Sequence, residues 1–281
     1  MDLLDARSVE AIAALCARSI DEGAPPTVAE LAGTLFAPDQ LAIVRGDPDV
    51  GVVASVPSVG VGYVRLLVVD PAHRGRGHGH ELLNAAEDDL APNGAVQIGA
   101  DPPYYLWPGA PANDVALLAL LERRKYRRVD ANFHMGIDLR AIPDDPGGHE
   151  VASSAMRIEV AAWMDANYAN WTAEVLRALD HGTLLIARGD DGIRGFCAYD
   201  VNRRGLLGPV GARLDLVVKG VGWPLLVGAL HAMRASGQEH MEVSWVGPVV
   251  PYARAGATVS RVFFVYRKDL DRKDPARKDQ T

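Results

Sequence analysis

Between Arg74 and Gly79 the chain alternates glycine with cationic or imidazole side chains: Arg74-Gly75-Arg76-Gly77-His78-Gly79. Glycine tolerates backbone angles closed to other residues and lets a ligand approach the amides. Just upstream, Leu66-Leu67-Val68-Val69 suits a strand covered on both faces, and Pro71 ends it because proline cannot donate to a sheet ladder. Just downstream, Leu82, Leu83, Ala86 and Leu90 form the buried stripe of a helix from about Gly77 to Leu90. A helix start exposes unpaired N–H groups and partial positive charge, to which Arg74 and Arg76 add full charges. The chemistry available to such a turn is anion binding, and a diphosphate is the fitting ligand. A solvated turn without a ligand is the competing reading.

Two familiar phosphate loops are excluded by spacing. A dinucleotide fingerprint counted from Gly75 needs glycine where His80 stands, and the Gly-Lys-Ser/Thr ending of a Walker loop is absent. His73, His78 and His80 do not make a metal set, because His78 and His80 sit two apart at a helix start and no carboxylate or cysteine completes them. Cys16 and Cys197 are far apart and read as core thiols in a reducing cytoplasm.

The elements that position the turn follow from periodicity and caps. Ser8 is expected to cap a helix through Ile20, and Thr27-Val28-Ala29-Glu30 is a capping-box pattern for a second helix ending near Phe36. Strands are expected at Leu41 to Arg45, Gly51 to Val56, Val61 to Val69 and Ala95 to Ala100. Glu87, Asp88 and Asp89 read as a solvated helix face. Asn113 to Arg124 is expected to be helical, and Arg127 to Leu139 to give strand material around a bend. Ala141 to Glu150 is turn-rich and reads as a linker. The order of elements then repeats: helices over Val160 to Leu179, strands at Thr183 to Arg188, Ile193 to Val201 and Leu206 to Ala212, Gly220-Val221-Gly222 preceding a helix through Ala235, and strands at Met241 to Val246 and Thr258 to Tyr266 around a short helix. The charged stretch after Lys268 is expected to be disordered at its end.

Val69-Asp70-Pro71-Ala72-His73-Arg74 and the loop to Gly79 resemble the Val-x-Pro-x-x-Arg lead-in and Arg-Gly-x-Gly-x-Gly loop of the GNAT N-acetyltransferase superfamily. The second half repeats the loop in weaker form: Lys219-Gly220-Val221-Gly222 aligns with Arg76-Gly77-His78-Gly79, with Val217 and Val218 in place of Arg74 and Gly75. The resemblance implies an α+β (mixed α/β) fold of two tandem GNAT-like domains, each a twisted, mostly antiparallel sheet with a central splay, flanked by helices. The expected domains are 1–142 with the intact loop, 150–270 with the degenerate one, and a charged tail at 271–281.

The resemblance also implies acetyl-CoA as co-substrate. Its diphosphate would lie on the amides of Arg74, Gly75, Arg76, Gly77, His78 and Gly79, and its pantetheine arm along Leu67, Val68 and Val69. Asp101, at the end of a strand beside the implied cleft, is a candidate proton acceptor or amine anchor, against the plainer reading of a turn initiator before Pro102-Pro103. Tyr104, Tyr105 and Trp107 read as a substrate wall or interface, with Tyr104 also a candidate for proton handling. Many family members carry a tyrosine four residues before a glycine. Here the first half has Leu121 and Lys125 at those places and the second half has Tyr252 and Gly256, so Tyr252 is the third catalytic candidate.

A net charge of −7 disfavours general nucleic-acid binding and suits a cationic amine. The acidic opening residues resemble no secretory signal, and no apolar run is long enough to span a bilayer. The expectation is a cytoplasmic acetyltransferase acting on a small-molecule primary amine, without metal; the alternative is an acyl-CoA-binding protein whose catalysis has decayed. The sequence leaves the oligomeric state open.

Overall fold

The computed structural model describes residues 1–20, 23–38, 42–101, 103–213 and 220–270. In chain order run β1 (Leu3–Leu4), α1 (Val9–Ser19), α2 (Val28–Leu35), β2 (Ile43–Asp47), β3 (Gly51–Val56), β4 (Gly62–Val69), α3 (His78–Leu90), β5 (Ala95–Ile98), β6 (Ala110–Pro111), α4 (Val115–Arg123) and β7 (Arg127–Asp138). There follow β8 (Glu150–Val151), α5 (Arg157–Tyr168), α6 (Thr172–His181), β9 (Leu184–Gly189), β10 (Gly192–Tyr199), β11 (Leu206–Ala212), α7 (Gly222–Ala235), β12 (His240–Val243), α8 (Val249–Arg254) and β13 (Thr258–Asp269). The described chain packs as two compact units: Met1–Ala131 with the chain from Phe263, and Asn132–Val262. The mixed, mostly antiparallel α/β architecture is the expected one. Leu41, Val217, Val218 and Lys219, and the tail at 271–281, lie outside the described residues.

Local chemistry explains most boundaries. Thr27 caps α2 by accepting from the Glu30 N–H while the Glu30 carboxylate accepts from the Thr27 N–H, so the capping box forms in full. Ser8 precedes α1, but its side chain makes no cap bond; a 3-10 turn over Ala6–Ser8 leads in, and Asp5 accepts from the Arg7 N–H. Residues Arg127–Asp138 form one continuous strand rather than two around a bend.

In the first unit the sheet order is β1-β2-β3-β4-β5-β13, antiparallel except for the parallel pair β4–β5. One face packs Leu82, Leu83, Ala86 and Leu90 of α3 against Val53 and Val64. The other packs Ile12 and Leu15 of α1 and Leu31 and Leu35 of α2 against Leu66 and Val68. Val64 and Leu66 lie on opposite faces although they are two residues apart, because the β3–β4 register slips at this point. Ala54 pairs with Leu66 and Ser55 with Val64, leaving Arg65 as the extra residue of a bulge.

Glu87 and Asp89 are not a solvated face. Glu87 accepts from Tyr126 and Lys268 and is ion-paired with Arg124, while Asp89 holds both donors of Arg45. Each carboxylate has found a partner on a different strand or helix, which helical periodicity alone does not reveal.

In the second unit the order is β7-β12-β11-β10-β9-β8, with β11–β12 parallel. Alternation along β10 sends Phe196 and Ala198 toward α5 and α6, and Cys197 and Tyr199 toward α7. The β10–β11 register also slips, between Cys197 and Tyr199, as β3–β4 does in the first unit. Each unit thus combines one parallel pair with register slips in its antiparallel pairs, one in the first unit and two in the second, where β9–β10 also slips between Ile193 and Gly195.

Glu174 of α6 is enclosed, accepting from Asn202 Nδ2 at 2.8 Å. Burial pushes its carboxyl up to about 8, against the opposing pull of Arg177 and Asn202. The unfolded chain releases this proton near 4.5 while the folded chain keeps it until about 8. The stabilisation is therefore whole below pH 4.5 and is lost as pH rises toward 8, by up to about 1 kcal/mol per pH unit. Glu174→Gln keeps the acceptor for Asn202 and removes the titration. Urea midpoints should therefore favour the variant increasingly from pH 5 to pH 8; a constant offset across that range would contradict the assignment.

Candidate functional site

The intact glycine turn joins β4 to α3. Asp70 caps a 3-10 turn over Pro71–His73 by accepting from the Ala72 N–H at 2.8 Å. The Arg18 guanidinium bonds its other oxygen at 2.5 Å and, with the Ala72 N–H, holds the Asp70 carboxyl below the usual range. Gly75 and Gly77 then take φ of +76° and +95°, a region costly for residues bearing a Cβ, and Gly77 is the N-cap of α3. Gly79 serves packing: a Cβ there would sit 3.0 Å from Leu120 Cδ2.

The N–H groups of Gly75, Arg76, Gly77, His78 and Gly79 find no protein acceptor among the described residues; the ladder of α3 begins with His80 and Glu81 donating to the Gly77 carbonyl. Gly75, Arg76 and Gly77 are exposed, and the positions a Cβ would take at Gly75 and Gly77 are open. Five unsatisfied donors at an exposed helix start form an anion cradle. The two arginines divide the work. Arg74 ties the turn down, donating to the Ser19 carbonyl at 2.6 Å and the Val69 carbonyl at 3.1 Å. Arg76 has no protein partner among the described residues. His78 lies 3.4 Å from Glu81, whereas His80 meets Arg124, so the two imidazoles serve different neighbours. A concavity of about 300 Å³ also opens beside α3, but its polar lining of Asp2, Asp47, Glu81 and His78 is mainly acidic and ill suited to phosphate.

Beside the turn, the sheet opens. The parallel β4–β5 ladder runs from Gly62↔Val96 to Val64↔Ile98 and stops, while β4 stays paired to β3 through Val69↔Gly51. One edge of Leu67, Val68 and Val69 therefore lacks a strand partner among the described residues. The bulge at Arg65 marks the point of divergence, and its guanidinium reaches Asp101 beyond the end of β5. Arg65 Nε donates to Asp101 Oδ2 at 2.6 Å, Nη2 to Oδ1 at 3.1 Å and Nη1 to the Thr34 carbonyl at 2.6 Å. Asp101 and Tyr104 are each only 2% exposed, and the Tyr104 ring lies 5.6 Å from the guanidinium carbon. Burial pushes the Asp101 carboxyl up, and Arg65 pulls against it. Arg65 had a sequence signal, since a lone charge inside Tyr63-Val64-Arg65-Leu66-Leu67 requires a buried partner.

Residues 9–103 match the model of the acetyltransferase (GNAT) family. Over this stretch the chain is similar to GNAT-family domains. It is 32% identical over 195 residues to a mycothiol acetyltransferase of Kineococcus radiotolerans, a match covering 62% of this chain and 61% of that protein. The fold is shared with a GCN5-related N-acetyltransferase from Sphaerobacter thermophilus, at 21% identity and TM-score 0.67 over 95% of this chain and 94% of that one. It is also shared with a tandem GNAT protein from the clavulanic acid biosynthesis pathway, at 16% identity and TM-score 0.70 over 97% and 98% of the respective chains.

The two halves share one local backbone turn after α4 and α8. Tyr126 donates to the Leu121 carbonyl and Ala257 to the Tyr252 carbonyl, each at 3.0 Å, closing the same turn after α4 and α8. Lys125 takes φ +67° where Gly256 takes +88°, so the first unit bends through the glycine-favouring region with a lysine in place. Leu121 is wholly enclosed in its core, and Tyr252 is 5% exposed in the core that also holds Cys197. Burial pushes the Tyr252 phenol up to about 12. Asp101 and Tyr104 therefore belong to the first unit and Tyr252 to the second.

Proposed function

We propose that the chain is an acetyl-CoA-dependent N-acetyltransferase that moves an acetyl group to a primary amine of a small molecule, with the first unit holding the coenzyme. The observation that carries this reading is the row of unpaired N–H groups from Gly75 to Gly79 beside the open edge of Leu67–Val69. Paired phosphates need such donors, Arg76 is free to add its charge, and an extended arm needs an unpaired strand edge. When bound, the coenzyme supplies a thioester whose acyl carbon is transferred to the amine nitrogen.

The remaining roles are those of the chain's own groups. Asp101 is committed to Arg65 by two hydrogen bonds, so its proposed role is to fix the acceptor wall and attract a cationic amine rather than act as a free base. Tyr104 lines that wall. Tyr252, protonated throughout the physiological range, is the second unit's candidate proton donor. Buried Cys16 and Cys197, neither of them in a disulfide, fit a reducing cytoplasm.

Thiol release from acetyl-CoA should rise well above the no-amine background with at least one member of an amine panel that includes the acceptor of mycothiol acetyltransferase. A second reading, acyl-CoA binding without turnover, is favoured by enclosed Asp101 and by Leu121 in place of tyrosine. Calorimetric CoA binding without thiol release on any amine would select it; absence of binding would remove both.

A further inference from the structure

We propose that Ser244 of the second unit is an activated nucleophile, driven by His134 and Glu242, that accepts acyl groups from activated esters or thioesters. The three residues come from β7 and from β12 with the residue just after it. The Met135↔Val243 and Gly136↔Glu242 pairings bring these segments side by side. Ser244 Oγ lies 3.3 Å from His134 Nε2, and His134 Nδ1 lies 3.1 Å from Glu242 Oε2.

The tautomer follows from the neighbours. Glu242 accepts from Ser260 Oγ at 2.7 Å, from Arg261 Nε at 3.1 Å and from Arg261 Nη2; burial pushes its carboxyl up, but the bonds from His134, Arg261 and Ser260 outweigh it and hold the group well below the usual range. An ionised carboxylate beside Nδ1 requires the proton there, which leaves the Nε2 lone pair facing the Ser244 hydroxyl. Arg261 Nη2, 3.4 Å from Nδ1, is a donor too, so Glu242 Oε2 is the acceptor the two share. The His134 side chain has no exposure. Burial lowers its pKa, as do Arg261 and Arg203, while Glu242 opposes them. A neutral imidazole, oriented by a carboxylate and in reach of a hydroxyl, is the arrangement that turns serine into a nucleophile. Ser244 itself is half-buried, and the chain just beyond it is open to solvent at Trp245, Gly247, Val249 and Val250.

The step balances without a further oxidant or reductant. Ser244 Oγ bonds the acyl carbon as the carbon–oxygen or carbon–sulfur bond to the leaving group breaks. The serine proton passes to His134 Nε2 and from there to the departing alcohol or thiol. Water then releases the acid by the same route in reverse. None of this depends on coenzyme binding by the Arg74–Gly79 turn.

The test is phosphonylation of the full-length protein by a fluorophosphonate, in which an oxygen–phosphorus bond forms at Ser244 and fluoride leaves. Peptide mass mapping should place one adduct on Ser244, Ser244→Ala should lose it, and His134→Gln should slow it by roughly 100-fold or more. Because His134→Gln alters a buried site, the pH profile of the unmodified protein provides an independent reading. Its labelling rate should rise with a midpoint below the ordinary histidine value of about 6.5 and then level off. No adduct, an adduct elsewhere, or a rate that climbs with hydroxide without a plateau would overturn the proposal.

Discussion

Gly77→Val should weaken CoA binding by on the order of 100-fold or more, whereas Gly220→Val should leave it nearly unchanged. The two positions share a backbone angle and open space around it. Their φ values are +95° and +99°, and a Cβ at either would meet nothing within 4 Å. Each substitution therefore imposes the same backbone strain with no clash, and β-branched valine is among the residues least able to hold that angle. At Gly77 the chain must rotate, and the N–H vectors from Gly77 to Gly79 rotate with it. Misdirecting two charge-assisted hydrogen bonds, at roughly 1.5 to 3 kcal/mol each, gives the expected loss. Calorimetric titration of CoA into both variants measures it directly. Equal losses would mean that the first unit does not hold the coenzyme alone.

Asp101→Ala should destabilise the fold by about 3 to 5 kcal/mol, because it leaves a guanidinium buried without its counter-ion. The Arg65 side chain has no exposure, and its bond to the Thr34 carbonyl carries no compensating charge. Arg65→Met combined with Asp101→Ala should be less damaging than Asp101→Ala alone, since the double variant buries no charge. Urea denaturation of the wild type, Asp101→Ala, Arg65→Met and the double variant gives the comparison. Simple additivity of the two substitutions, or an Asp101→Ala loss below about 1 kcal/mol, would show that the pair contributes little. Acetyl transfer should fall with Asp101→Ala, since the bulge at Arg65 and the end of β5 then lose the tie between them.

The parts of this protein legible in its residues are those governed by neighbours in sequence. The glycine turn, the Leu82-Leu83-Ala86-Leu90 stripe and the Thr27–Glu30 box are set by helical period, φ preference and caps, all acting over a few positions. The correspondence of Leu121 with Tyr252 was visible for the same reason, since it rests on one local turn used twice. Distant partners were not legible. Arg65 announced a buried charge without saying which carboxylate, 36 positions on, would answer it. Glu87 and Asp89 looked solvated because their cations lie on other elements.

Strand order was hidden most deeply. The first unit's sheet pairs β5 with β13, and the second pairs β12 with β7, so each takes its neighbouring strand from the other half of the sequence. That exchange in turn places His134 beside Glu242 and Ser244. Apolar alternation says that a segment is a strand and which residues share a face. It does not choose among several strands of like pattern, a choice made by register, twist and packing of the whole sheet.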